Sequence, residues 1–308
     1  QGFETCCWDP TRGLAVARAS MSRAKGCGAK GGSSYRGGER GGGRLPTSSS
    51  FTKDAKTINA QVCRYAQDGD MQGLLDYVAS QRDHLNYVNL STALHKLAHL
   101  VKDGSAAVHL DDWRFTMLHE RARMALVLQY RESGMPGAEV MPRCWSTLAW
   151  SYATLNVPGL DIQNIFAMIA ELSVPNLQAF KLVEFTNLVW AFAKAQVSNV
   201  YLFQAARSHI AVNSASFSRS HLSTLVWALV TAQQDQASIL CKLTEKFIQR
   251  VGTEQVDPVG ISNLMWGLAT ANVHPKMHVL QHIGNDALDL LPAFKPQEIS
   301  ITAWAFSR

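Results

Sequence analysis

Two pairs of histidines have the spacing that metal chemistry uses. His95 and His99 lie four residues apart, which puts both imidazoles on one face of a helix, and His278 and His282 repeat the interval. A zinc peptidase would also place a glutamate directly after the first histidine as its general base, but Lys96 stands there. Both pairs are therefore read as helix-face residues, and neither a metal nor a cofactor is expected. Gly26-Cys-Gly-Ala-Lys30-Gly superficially suggests a phosphate loop, yet it lacks the required spacing and no strand pattern precedes it. No Ser/His/Asp arrangement, Gly-x-Ser-x-Gly elbow, kinase signature or paired catalytic carboxylate stands out. Asp111 and Asp112 suit the start of a helix, where the dipole favours acids. Catalysis is not expected.

The tryptophans carry more information. Five of the eight fall in one register, Trp150, Trp190, Trp227, Trp266 and Trp304, at steps of 40, 37, 39 and 38 residues. Their surroundings align too: Ser146-Thr-Leu-Ala-Trp150, Thr186-Asn-Leu-Val-Trp190, Ser223-Thr-Leu-Val-Trp227, Ser262-Asn-Leu-Met-Trp266 and Ser300-Ile-Thr-Ala-Trp304. An earlier copy, Ser91-Thr-Ala-Leu-His95, has histidine in the tryptophan slot. It lies 55 residues before Trp150, so an insertion around 99–139 is expected, with a helix of its own near 110–131. Pro142, Pro258 and Pro296 stand eight positions before their tryptophans, where proline starts a helix well.

The elements that must position these residues are helices. Relative to each tryptophan, apolar residues fill positions −5, −2, −1, +2 and +3, for example Leu222, Leu225, Val226, Leu229 and Val230, and form one stripe at about 100° per residue. A second helical pattern follows in each unit, such as Ile162, Ile165, Phe166 and Ile169. Two antiparallel helices cannot bury both faces alone, whereas stacked units share a continuous core. The expected fold is all-α: an α-solenoid of roughly six helix pairs repeating every 38 residues or so.

The formal charge of +5 is uneven. Residues 1–53 sum to +6, leaving −1 for the remaining 255. Residues 11–50 also hold ten of the 21 glycines, too many to order into a core. Residues 1–52 are expected to be disordered, as an organelle transit segment, an Arg-Gly segment that touches RNA, or a plain linker. Residues 53–308 are expected to be the repeat domain. No uncharged run is long and apolar enough for a membrane helix, and the six cysteines form neither a disulfide framework nor a Cys-x-x-Cys site.

The unit length, together with Phe294-Lys-Pro-Gln-Glu-Ile-Ser-Ile-Thr-Ala-Trp304-Ala-Phe306, resembles the octotricopeptide repeat. The related heptatricopeptide repeat and the leucine-rich region of FAST-kinase-like proteins are similar. The resemblance covers about residues 57–308, weakly across the insertion, and the copy from Phe180 to Ala193 departs with Leu182 in place of proline. It implies an organelle protein, mitochondrial or alternatively chloroplast, that binds single-stranded mRNA or rRNA, alone or with other RNA-processing proteins, and supports its processing, stability or translation. Some relatives end in a small RAP domain; here Arg308 falls inside the last helix pattern, so a chain truncated at its C-terminus is expected.

On that reading the face opposite the apolar stripe contacts RNA. Position −3 carries Thr147, Asn187, Thr224 and Asn263, and position +4 carries Lys194, Thr231 and Thr270, short donors and acceptors at one rung per repeat. Unstacked bases expose edges to such groups, and helical repeats that read one base each exist. A plain solvated helix face is the other reading. The tryptophans either stack bases or pack repeat against repeat, and their place at the stripe edge favours packing. If the protein binds RNA, its inner face is expected to be basic and binding to weaken steeply with salt. A protein-binding scaffold is the alternative function, in keeping with the near-neutral body.

Overall fold

The computed structural model describes residues 53–308, apart from 105–106, 158–159 and 251–253. The expectation for residues 1–52 lies outside the described residues. Thirteen α-helices and no strand occur among the described residues. They are α1 (Lys53–Gln67), α2 (Met71–Ser80), α3 (Tyr87–Lys102), α4 (Trp113–Glu132), α5 (Pro142–Leu155), α6 (Gln163–Ser173), α7 (Leu182–Lys194), α8 (Val200–Asn213), α9 (Arg219–Thr231), α10 (Ala237–Ile248), α11 (Pro258–Thr270), α12 (Met277–Asp289) and α13 (Pro296–Phe306). Short 3-10 turns, Val174–Ala179 and Leu291–Ala293, follow α6 and α12.

Most of the helices start where the sequence supplies a partner for the free N–H groups or a proline that lacks one. Asp70, Asn86, Asp112, Asn199, Ser218 and Asp257 accept from backbone amides in the first turn of α2, α3, α4, α8, α9 and α11. Pro142, Pro258 and Pro296 occupy the first position of α5, α11 and α13. In α7 and α13, Glu184 and Glu298 reach back to the amides of Lys181 and Lys295 at 2.9 and 2.8 Å.

Odd-numbered helices pack on one another in succession and form an inner layer; even-numbered helices cover it as an outer layer. The arrangement is an α-solenoid of helix pairs. The segment 99–139 supplies the end of α3 and the whole of α4, which packs between α2 and α6 in the outer layer. Its extra length lies in a second helix of 20 residues and in the loops on either side. The core runs between the layers as one band. At position −5 it holds Leu90, Trp145, Phe185, Leu222 and Ile261, each no more than 1% exposed. At position +1 the inner helices α5, α7, α9, α11 and α13 carry Ser151, Ala191, Ala228, Gly267 and Ala305, all buried, because the preceding inner helix lies against them; the first copy has the half-exposed Lys96 there. A Cβ on Gly267 would come within 2.6 Å of Val226 Cγ1, so that contact is the closest of the series.

The inner helices of four consecutive units end in the same way. Asn156, Gln196, Gln233 and Asn272, each six residues after its tryptophan, have φ between 44 and 56°. They are the only non-glycine residues with positive φ among the described residues. Behind three of them a bond of the Schellman type closes the helix: Val197 N to Phe192 O (3.0 Å), Gln234 N to Leu229 O (2.7 Å) and Val273 N to Leu268 O (2.9 Å). A side chain in this left-handed region costs about 1–2 kcal/mol that glycine would avoid.

Candidate nucleic-acid interface

The register of tryptophans becomes a ladder in space. Ring centroids of Trp150 and Trp190 are 6.3 Å apart, those of Trp190 and Trp227 6.1 Å, and those of Trp227 and Trp266 6.4 Å, with planes inclined by 29–37°. Packed helix axes lie about 8–10 Å apart. The rings thus approach one another more closely than packed helix axes ordinarily do. In the outer layer a cleft of about 440 Å³ lies between α8 and α10. At the head of the ladder an imidazole pair replaces the indole. His95 and His99 pack on Trp150 at 5.0 and 4.7 Å, and their Nε2 atoms lie 3.2 Å apart. Trp304, in the last inner helix, is 42% exposed.

The first three indoles present almost nothing to a ligand, while Trp266 is half-buried. Trp150 and Trp190 are 6% exposed and Trp227 2%, and the Trp227 N–H is buried without a partner. Position −4 is occupied within the helix. The hydroxyls of Ser91, Ser146, Thr186, Ser223 and Ser262 each donate to a backbone carbonyl three or four residues earlier, at 2.8–3.1 Å.

Beside the ladder, position −3 forms a half-exposed row of Thr92, Thr147, Asn187, Thr224 and Asn263. Thr224 bonds the Ser220 carbonyl at 2.9 Å, while the side chains of Thr147, Asn187 and Asn263 make no hydrogen bond among the described residues. This row brings together four of the residues the sequence singled out. Position +4 is uneven. Thr270 is exposed and Lys194 half-buried with interactions of its own, whereas the Thr231 hydroxyl, like that of Thr154, is buried without a partner.

Cations outnumber carboxylates on this stripe, but they are few. Positions −7, −3 and +4 of the six copies carry Arg143, Lys194 and Arg308 as their only full-time cations, His99, and no carboxylate. Among the described residues, other basic side chains sit elsewhere. Arg121 and Arg123 belong to the outer helix α4 and pair with Asp83 and Glu120, and Lys242 and Lys246 lie on α10. A stripe of hydroxyls and amides offers hydrogen bonds rather than a polyanion-binding field.

No group of three or more His, Cys, Asp or Glu side chains that could hold an ion occurs among the described residues. His278 lines a cleft of about 360 Å³ between α10 and α12. Nor is any described helix long and apolar enough to cross a membrane. Compared with known proteins, the chain matches no protein-family model and no curated protein.

Several histidines are held neutral by the fold. Burial, then the nearby His99, Lys96 and Arg143, pushes His95 down to about 3. Burial also lowers His119, His209 and His221, the last against the pull of Glu254. Both ring nitrogens of His209 are buried without a partner against Phe185. A histidine whose folded value lies below its unfolded 6.5 stabilises the fold above that pH. As pH falls, the unfolded chain takes up the proton first and that stabilisation is lost. His95 alone should cost about 2 kcal/mol between pH 7.5 and 5. Thermal melts across that range check it; an unchanged midpoint would contradict the neutral, buried assignment.

The sequence reading missed the carboxamides at the helix ends. Their signal was present: Asn or Gln recurs six residues after four tryptophans, and Val157, Val197 and Val273 follow three of them.

Proposed function

We propose that the inner layer binds single-stranded RNA in an extended form, one nucleotide for each helix pair, without a catalytic step. The observation that carries this reading is the 6.1–6.4 Å separation of equivalent rings along the ladder. A stacked strand rises about 3.4 Å per nucleotide; an unstacked one stretches to nearly twice that, which matches one repeat. Position −3 then offers each base a separate amide or hydroxyl, and Asn187 and Asn263 have unused donors and acceptors. Binding would act by covering a transcript or by presenting it to a processing partner. The organelle part of the proposal, mitochondrial or chloroplast, is supported by the resemblance to octotricopeptide repeats and by the Arg- and Ser-rich, acid-poor composition of residues 1–52.

The test is selection from a random RNA library. Exchanging Asn187→Thr with Thr224→Asn should change the preferred bases at the two matching positions and leave total affinity within a few-fold; an unchanged preference would reject base reading by this row. Because Arg143, Lys194 and Arg308 are the only full-time cations on this stripe, the slope of log K against log salt should be shallow, about −1 to −3. The net charge of −1 outside residues 1–53 favours a second reading, a protein-binding scaffold. Absence of RNA binding at low salt would leave that reading in place.

A further inference from the structure

We infer that the outer-layer cleft between α8 and α10 binds a small phosphate monoester, held through Arg207 and Lys242. The cleft measures about 440 Å³, within the range of small-molecule sites. Both of its walls are outer helices, so its occupancy does not depend on RNA at the inner layer.

The charge of this cleft is uncompensated. Arg207 and Lys242 line it, and no carboxylate does so among the described residues. Neutral acceptors tether both cations. Arg207 Nη1 donates to Gln234 Oε1 at 2.6 Å, and Lys242 Nζ donates to the Ala211 carbonyl, in the last turn of α8, at 2.8 Å. These bonds orient the two side chains without cancelling their charge. Arginines elsewhere have a different environment: Arg114, Arg121, Arg123, Arg219 and Arg250 each pair with a carboxylate. Arg207 is half-buried, has no such partner, and its other guanidinium N–H groups make no hydrogen bond among the described residues. A cation drawn partly out of water without a counter-ion is costly. An anion in the cleft removes that cost.

The donor set suits a phosphate better than a carboxylate. A phosphate monoester carries close to two negative charges at neutral pH and three terminal oxygens. Two cations match that charge, and the free guanidinium N–H groups with two remaining ammonium protons match the oxygens. A carboxylate would neutralise one cation and leave the other. Ser238 adds a hydroxyl from the first turn of α10, a helix that starts without a side-chain cap, so its dipole adds to the positive potential. The cleft holds more than a phosphate group alone. Gln204 and Gln236 offer carboxamides, and Ile239 an apolar wall, to the body of the ligand.

Adenosine monophosphate is a suitable probe, because it joins a phosphate monoester to a body that can fill the cleft. Calorimetric titration of the full chain at low salt compares it with inorganic phosphate, adenosine and acetate. The nucleotide is expected to bind saturably, inorganic phosphate more weakly, and adenosine and acetate not at all. Arg207→Gln combined with Lys242→Gln is expected to weaken the nucleotide at least roughly tenfold, while Lys246→Gln, on the same helix but outside the cleft, changes it by less than about twofold. Lys242→Gln alone, at an exposed position, repeats the test without touching the half-buried Arg207 and is expected to lose several-fold. Absence of saturable nucleotide binding, adenosine or acetate binding as tightly, or wild-type affinity in the double variant would each overturn the inference. None of these outcomes bears on base reading by the position −3 row, which library selection tests separately.

Discussion

Trp227→Ala should destabilise the protein by about 3–5 kcal/mol, the range for removing a large aromatic side chain from a core. The indole is 2% exposed and sits between Trp190 at 6.1 Å and Trp266 at 6.4 Å. Position +1 of the helices beside it is small and buried, so the backbone has little freedom to collapse into the gap. The effect should also have a shape. Repeat arrays are held by nearest-neighbour interfaces, so weakening one central interface uncouples the two sides. Urea unfolding of the variant should broaden or split, with a lower apparent m-value. Trp304→Ala, at a site 42% exposed in the last inner helix, should cost under about 1 kcal/mol and leave the transition single. Equal losses at both positions would contradict the nearest-neighbour picture.

The ladder was legible in the sequence because two periods coincide. A 38-residue step put each tryptophan at one point of a unit, and a 3.6-residue step put it at the edge of an apolar stripe; stacking the units turns that coincidence into ring-on-ring contact. The second helix of each unit was legible for the same reason, including the one near 110–131, observed as α4. That α4 fills an ordinary place in the outer layer was not legible, because the length of a segment does not say where it packs. How charge divides between the two layers was not legible for a related reason. Net charge along a chain does not separate cations on the exposed stripe from those on outer helices, and here Arg121, Arg123, Lys242 and Lys246 are outer. The left-handed carboxamides were missed because a polar residue after a helix reads as a plain loop until its φ is known. The position −3 row could be placed on the open face by angle alone, but which hydroxyls stay available could not. Thr231 and Thr270 share a register, and only the structure separates a hydroxyl buried without a partner from an exposed threonine.

Arg219 departs most sharply from the repeat pattern, and its removal should rival that of an indole. It occupies position −8, where three other units hold proline, yet it is 2% exposed. Its guanidinium bonds the Asp286 carboxylate of α12 and lies 4.1 Å from the centre of the Phe247 ring of α10, while its backbone N–H donates to Glu254 Oε2 at 2.9 Å. Glu254 in turn accepts from the Arg250 guanidinium. One side chain thus ties α9 to its own outer helix and to that of the next unit, across the boundary a nearest-neighbour array most easily loses. Arg219→Ala leaves Asp286 charged and only 16% exposed with its partner gone, and should cost about 3–5 kcal/mol. The remedy distinguishes pairing from packing. Adding Asp286→Leu to Arg219→Leu removes both charges and should recover most of the loss, because the desolvation penalty disappears with them. A double-mutant cycle with coupling below about 0.5 kcal/mol would mean that the ion pair contributes nothing and that the Phe247 contact alone keeps arginine in a proline slot.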